Sequence, residues 1–265
     1  MALRIVQLSD IHLVESPEGR VMGVDTDETF HRVLAAVAAE VPEPDLVVAT
    51  GDLAHDEVRP TYERLSALLR EHGHLDRCRL VPGNHDTPAL LRQVFTSCSG
   101  DAPAGSACFA ERLGDWAILG LDSHFPGEIG GKVGSAQLAW LRERLTEAAE
   151  SPSLLFLHHP PGPIGTPWLD GMALLDPAPL VEILANASQL RAVVCGHVHQ
   201  DTTVSVVGVP LITTPSTCFQ FRPGSVRPAF DDVPPAFRVI ELEGDAFTTR
   251  VVRVGEPASP VVSSA

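Results

Sequence analysis

Apolar residues along this chain fall into two alternating textures. Short β-branched runs bounded by polar, Gly or Pro positions read as buried strands: "LRIVQL" at 3–8, "DLVVAT" at 45–50, "CRLVPG" at 78–83, "SLLFLHH" at 153–159 and "RAVVCG" at 191–196. Between them lie segments with apolar residues at helical spacing. The first, over 27–41, places Phe30, Val33, Leu34, Val37 and Val41 on one face, with Thr26 as the expected N-cap. A second helix is expected over 59–73, with Pro60 in its first turn and Gly73 past its end. Further helices are expected at 88–96, 135–150 and 178–187. The segment 107–123 reads as a hairpin turning at Gly114-Asp115. The stretch "PPGPIGTPWLDGMALLDP" is too rich in Pro and Gly to form a regular element. From Thr202 onward the pattern is strands and turns, and no internal repeat is visible.

Strands alternating with helices imply an α/β fold built in layers. The strand-rich later portion points to a second sheet rather than one continuous parallel sheet. The expectation is a single domain over 1–254: two mixed β-sheets packed face to face, helices outside, a Pro/Gly-rich rim at about 160–176, and a loose tail at 255–265.

Composition narrows the partners. The chain has 265 residues, 44% of them hydrophobic, enough to bury a substantial core. Its formal net charge of −15 repels polyanions, so no nucleic-acid partner is expected. A small phosphate compound needs a local cationic site, which metal ions can supply. No apolar run is long enough to span a membrane, and the first residues, "MALRIVQLSD", lack the features of a signal peptide. Five scattered cysteines without CxxC spacing fit reduced thiols in a cytoplasmic protein, with a Cys98–Cys108 pair as the alternative.

The unusual polar residues cluster at one kind of place. Asp10 and His12 follow the first expected strand, Asp52 the second, and Asn84, His85 and Asp86 the third; His158 and His159, then His197 and His199, end two later ones. Carboxyl ends of strands are where α/β sheets build sites. Alternate residues of an extended segment share a face, roughly 6.5–7 Å apart. Asp10 with His12, and His197 with His199, can therefore each aim two ligands into one cavity. Such a pair can grip one ion or serve two neighbouring ones. Counting decides: Asp10, His12, Asp52, Asn84, His158, His197 and His199 are more ligands than one catalytic transition ion takes. They suit two ions with a carboxylate between them. Imidazole mixed with carboxylate favours zinc, manganese, iron or cobalt over calcium or magnesium.

The blocks DxH (Asp10, His12), GD (Gly51, Asp52), GNHD (Gly83 to Asp86), H (His158) and GHxH (Gly196, His197, His199) stand in the order typical of calcineurin-like metallophosphoesterases. The chain resembles that superfamily. The stretches "DLVVATGDLAHD", "LHHPPGPIGTPWLDGMAL", "VVCGHVHQ" and "TPSTCFQFRP" resemble its class III cyclic nucleotide phosphodiesterases, the bacterial 3′,5′-cyclic AMP enzymes, over about 3–254. The resemblance implies a four-layer αββα sandwich. It implies that Asp10, His12, Asp52 and His199 hold one ion and that Asp52, Asn84, His158 and His197 hold a second, with Asp52 bridging. It also implies iron paired with manganese or zinc. Two such ions neutralise the phosphate, lower the pKa of a bridging water and align the resulting hydroxide with the leaving oxygen. By the same resemblance His85 acts as acid or transition-state stabiliser, and Asp86 is placed to orient its imidazole. The expected substrate is a small phosphodiester such as a cyclic nucleotide, cyclic AMP giving 5′-AMP. The rivals are a glycerophosphodiesterase or broad phosphodiesterase on the same site, and a metal-binding scaffold without catalysis. Homo-oligomerisation is open.

The remaining candidates have plainer readings. His159 follows a ligand on an extended segment, so it is expected to face away from the site. His31, His72 and His74 are expected on solvated helix surfaces. His55 and His124 are candidates for the site's edge, and Trp168 for its rim or a hydrophobic plug. Phe219 and Phe221 are core residues by default and base-stacking residues as the alternative. Gly51, Gly83 and Gly196 permit tight turns and close backbone approach.

Overall fold

The computed structural model describes residues 2–95, 102–258 and 260. In chain order its first half contains β1 (Leu3–Leu8), α1 (Thr26–Glu40), β2 (Leu46–Thr50), α2 (Arg59–Glu71), β3 (Cys78–Val81), α3 (Pro88–Val94), β4 (Phe109–Leu113), β5 (Trp116–Leu121) and α4 (Ser135–Glu147). The second half contains β6 (Ser153–Leu157), α5 (Pro167–Asp170), α6 (Ala178–Asn186), β7 (Leu190–Cys195), β8 (Thr202–Val206), β9 (Val209–Thr213), β10 (Gln220–Phe221), β11 (Phe230–Asp231), β12 (Ala236–Glu243) and β13 (Ala246–Arg253).

Two large sheets form. One has the order β13-β12-β1-β2-β3, and the other β4-β5-β6-β7-β9-β8. Strands β1, β2 and β3 run parallel, as do β5, β6, β7 and β9, while β12 and β13 in the first sheet and β4 and β8 in the second pair antiparallel. Both sheets are therefore mixed. Their inner strands, such as β2 and β6, carry apolar runs because both faces are covered. Period-2 alternation sorts the faces. Ile5, Leu46 and Val48 meet Ile118, Leu154, Phe156 and Val194 of the other sheet. Val6, Val47 and Ala49 turn the other way, onto Phe30, Val33 and Leu34 of α1 and Tyr62 and Leu65 of α2. The second sheet likewise sends Leu155, Leu157 and Val193 against Leu141 of α4 and Ile183 and Leu184 of α6. The result is the expected αββα sandwich. Each fully buried Leu, Val or Phe in these layers contributes roughly 1.5–3 kcal/mol.

Several local expectations are corrected. The N-cap of α1 is Asp25, whose carboxylate accepts from Glu28 N at 2.9 Å; Thr26 lies inside the helix and its hydroxyl donates to His12 O. His74 is buried rather than solvated: Gly73, at φ 73°, turns the chain back so that His74 N reaches Leu69 O. The Pro/Gly-rich segment contains one regular turn, α5, with Pro167 at its start. The expected loose tail is held at its beginning, where Ala258 packs beside Val21, Val24, Cys218 and Phe219. The rest of that tail (259 and 261–265), the end of the expected 88–96 helix and Cys98 lie outside the described residues. Cys108, Cys195 and Cys218 are buried free thiols. No described helix is long and apolar enough to cross a membrane.

Candidate metal centre

Parallel pairing brings the carboxyl ends of β1, β2 and β3 to one edge of their sheet, and β6 and β7 do the same in the other. The strands stop before the polar blocks, so the site residues stand on loops rather than on extended chain. Asp10, His12, Asp52, His197 and His199 all adopt left-handed conformations, at φ 52°, 51°, 50°, 70° and 48°. The expectation of an extended i, i+2 pair is thus wrong in mechanism. Sidedness survives it, because the intervening residues enter the two cores, Ile11 the first and Val198 the second. A left-handed non-glycine residue costs on the order of 1 kcal/mol or more and persists only where its surroundings over-determine it. Here they do. Asp10 N bonds to Gly51 O and His12 N to Asp52 O, while the Asp10 carboxylate accepts from His197 N and Ser9 Oγ.

The side chains converge on two adjoining centres. Around the first, His199 Nε2 lies 3.3 Å from Asp10 Oδ1 and 3.4 Å from His12 Nε2, which is 3.6 Å from Asp52 Oδ2. Around the second, His158 Nε2 lies 3.4 Å from Asp52 Oδ1, and His197 Nδ1 lies 3.1 Å from Asn84 Oδ1. Asp52 thus turns one oxygen to each centre. All but Asn84 are buried. Glycines allow the crowding: a Cβ on Gly83 would meet Asp52 Oδ1 at 2.2 Å and His158 Nε2 at 2.8 Å.

These atoms fit divalent cations. His158 Nδ1 donates to Thr50 O, and His199 Nδ1 to Phe219 O, both at 2.7 Å. In the neutral rings their Nε2 atoms are therefore lone pairs, and they face carboxylate oxygens, so a proton or a cation is needed between them. Acceptor facing acceptor in a buried site demands positive charge between them. His158 Nε2 has no hydrogen-bond partner among the described residues. The same demand shows in the acid–base balance. Burial opposes a charged His158, yet Asp52 beside it lifts its pKa to about 9. Burial also opposes ionisation of Asp52, but His158 and then His12 hold it well below the usual range. Burial pushes His12 down to about 3, against the pull of Asp52, and His197 down to about 4, with His158 adding to the effect.

Residues 3–201 match the model of the calcineurin-like phosphoesterase family. The chain belongs to that family. It is 35% identical over 255 residues to the 3′,5′-cyclic adenosine monophosphate phosphodiesterase CpdA of Escherichia coli K12, covering 96% of this chain and 90% of that protein. The CpdA of Pseudomonas aeruginosa is 35% identical over 258 residues, 95% and 90% of the two chains. A 3′,5′-cyclic-nucleotide phosphodiesterase of Nostoc sp. is 30% identical over 266 residues, 99% and 97% of the two chains. Among solved structures, a dimetal phosphatase from Danio rerio superimposes with a TM-score of 0.69 at 16% identity, covering 96% of this chain and 99% of that one; this shows a shared fold.

In this phosphoesterase the other expected site residues divide. His85 lines the cleft, its backbone N–H donating to Asp52 Oδ1 at 2.9 Å and its ring stacked on His55 at 4.7 Å. Asp86 does not orient His85. Its buried carboxylate faces the other way and accepts from Gly83 N, Leu53 N, Ala54 N and Tyr62 Oη. Burial and the nearby Asp52 charge raise its pKa to about 7, the backbone donors notwithstanding. Asp86 therefore pins the loop after β3 to the loop after β2. His159 is buried with both ring nitrogens engaged, Nδ1 with Ser123 Oγ and Nε2 with Ile129 O, although its ring is only 4.6 Å from that of His197. His124 is not among the residues around the cleft, whereas His55 is, with Nδ1 3.2 Å from His12 Nδ1. The only sequence signal for His55 was its position three residues after Asp52.

The cleft above the two centres holds about 130 Å³ and has an apolar wall that includes Met22, Trp168, Leu169, Met172, Phe219 and Phe221. A larger depression of about 580 Å³ between α4 and α6 contains no histidine. Convergent polar groups, not volume, mark the site. Trp168 meets Phe221 edge-on at 4.9 Å, and Phe221 lies 4.6 Å from the His199 ring. Trp168 Nε1 donates to Ser225 Oγ, and Thr166 Oγ1 both donates to Gln200 Oε1 and accepts from Gly224 N.

Proposed function

We propose that this phosphoesterase hydrolyses 3′,5′-cyclic nucleotides, converting cyclic AMP to 5′-AMP, with two divalent transition-metal ions. The convergence of seven acceptor-bearing side chains on two adjoining centres carries the reading. The near-full-length similarity to proteins named as cyclic AMP phosphodiesterases supports the substrate. Asp10, His12, Asp52 and His199 would hold one ion, and Asp52, Asn84, His158 and His197 the other. Iron paired with manganese or zinc suits this donor set. The ions supply charge neutralisation of the phosphate and activation of water.

The chain's own residues do the rest. Asp52, with one oxygen toward each centre, fixes their spacing. Backbone carbonyls at Thr50 and Phe219 hold the His158 and His199 rings so that Nε2 faces inward. His85 stands at the cleft beside Asp52, where its ring N–H can give a proton to the departing 3′ oxygen as the P–O3′ bond breaks and oxygen from water joins phosphorus. The aromatic wall at Trp168 and Phe221 shields the reacting phosphate from bulk water and offers a face to a purine. The rim at about 160–176 and the segment 216–235 would set the substrate. A single domain over 1–254 and a cytoplasmic location complete the reading.

A substrate panel tests it: cyclic AMP, cyclic GMP, glycerophosphodiesters and bis(p-nitrophenyl) phosphate, with metal content measured on the same sample. The highest kcat/KM is expected for a cyclic nucleotide. A wide margin for glycerophosphodiesters would sink the substrate assignment, and no hydrolysis with manganese or iron restored would leave a scaffold.

A further inference from the structure

We propose that His55 is a positioning residue that fixes the His12 ring with its Nε2 lone pair turned to the Asp10–His12–His199 centre. This rests on the reading that the centre takes an ion. His158 and His199 have Nδ1 tied to main-chain carbonyls, which no substitution removes. His12 Nδ1 has a different partner, His55 Nδ1 at 3.2 Å. Two such nitrogens bond only if one carries a proton. His12 Nε2 faces His199 Nε2 and Asp52 Oδ2 and must stay unprotonated to hold a cation. The proton therefore sits on His12 Nδ1, His55 Nδ1 accepts it, and His55 keeps its own proton on Nε2.

His55 is itself held. Its backbone N–H donates to Leu13 O at 2.7 Å, and its neighbour Asp56 accepts from Glu15 N and Thr61 Oγ1. Its ring stacks on His85 at an interplanar angle of 25° and lines the cleft. One half-buried side chain thus orients an ion ligand and supports the ring of the proposed acid. Partners that orient metal-ligating histidines are worth about 10–100-fold in metal affinity.

The experiment uses the full chain, metal-depleted and titrated with cobalt(II), following the visible spectrum and the two dissociation constants, with thermal melting as the fold control. His55→Phe keeps a ring to stack on His85 but has no acceptor; His55→Gln has an acceptor but no ring. The proposal expects His55→Phe to weaken one of the two ions by about 10–100-fold and shift its spectrum, leaving the other ion within about twofold. His55→Gln should stay near the parent. The reverse pattern, or two unchanged constants in both variants, overturns it. A parent chain that binds no cobalt overturns the metal reading as well, which separates the two failures.

Discussion

The floor and the rim of the cleft are built on opposite terms. The floor is polar, buried and strained: Asp10, His12, Asp52, His197 and His199 stand in left-handed conformations, each held by bonds from other loops. The rim is apolar and partly exposed, with Trp168 and Phe221 resting on each other and hydrogen bonds tying 166–168 to 200 and 224–225. The difference separates two requirements. Phosphoester chemistry needs charges fixed in place before substrate arrives. Substrate choice needs a shaped surface, which can change without disturbing the charges.

The hardest test of the floor is Asp52→Asn. It removes the charge that faces both centres, so both ions should be lost and kcat/KM should fall by more than about 10⁴-fold, several kcal/mol of charge stabilisation at about 1.4 kcal/mol per tenfold. Two metals per chain by elemental analysis of the variant would contradict the shared role. His85→Ala should keep both metals and lose about 10²–10⁴ in turnover, the usual span for general-acid help; near-normal kcat at full metal occupancy would remove His85 from the chemistry. Asp86→Ala strands three backbone donors and the Tyr62 hydroxyl, and should cost on the order of 3 kcal/mol in denaturant unfolding. Unchanged stability with lowered turnover would restore Asp86 as the partner of His85. The smallest effect belongs to the rim. Trp168→Ala should raise KM for cyclic AMP about tenfold with kcat and metal content little changed, and a fall in kcat alone would tie the rim to the floor.

Much of this arrangement was legible in the sequence, for a physical reason. Strands buried on both faces write themselves as apolar runs, so β1 was readable to the residue at 3–8, and each polar block was seen to follow a strand. What stayed hidden depends on partners remote in the chain. Asp86 is adjacent to His85 in sequence, yet its hydrogen bonds come from Gly83, the 53–54 loop and α2. The left-handed backbone of Asp10 and His12 is set by pairing with Gly51 and Asp52 in the loop after β2, and neither residue type announces it. Asp25 and Thr26 are both good caps, and only the reach of Thr26 to His12 O decides between them. His55 is conspicuous only in the fold, where its Nδ1, rather than a main-chain carbonyl, faces His12 Nδ1.

The left-handed loops also set a slope for descent. A change from His12, His197 or His199 to glycine would relieve local strain, whereas at Asp10 or Asp52 it would also strand the backbone donors His197 N or His85 N. Losing the activity at one of these histidines can therefore cost the fold little. Drift away from hydrolysis therefore meets least resistance at the histidines and most at the two carboxylates. The five blocks persist only where selection keeps acting on turnover.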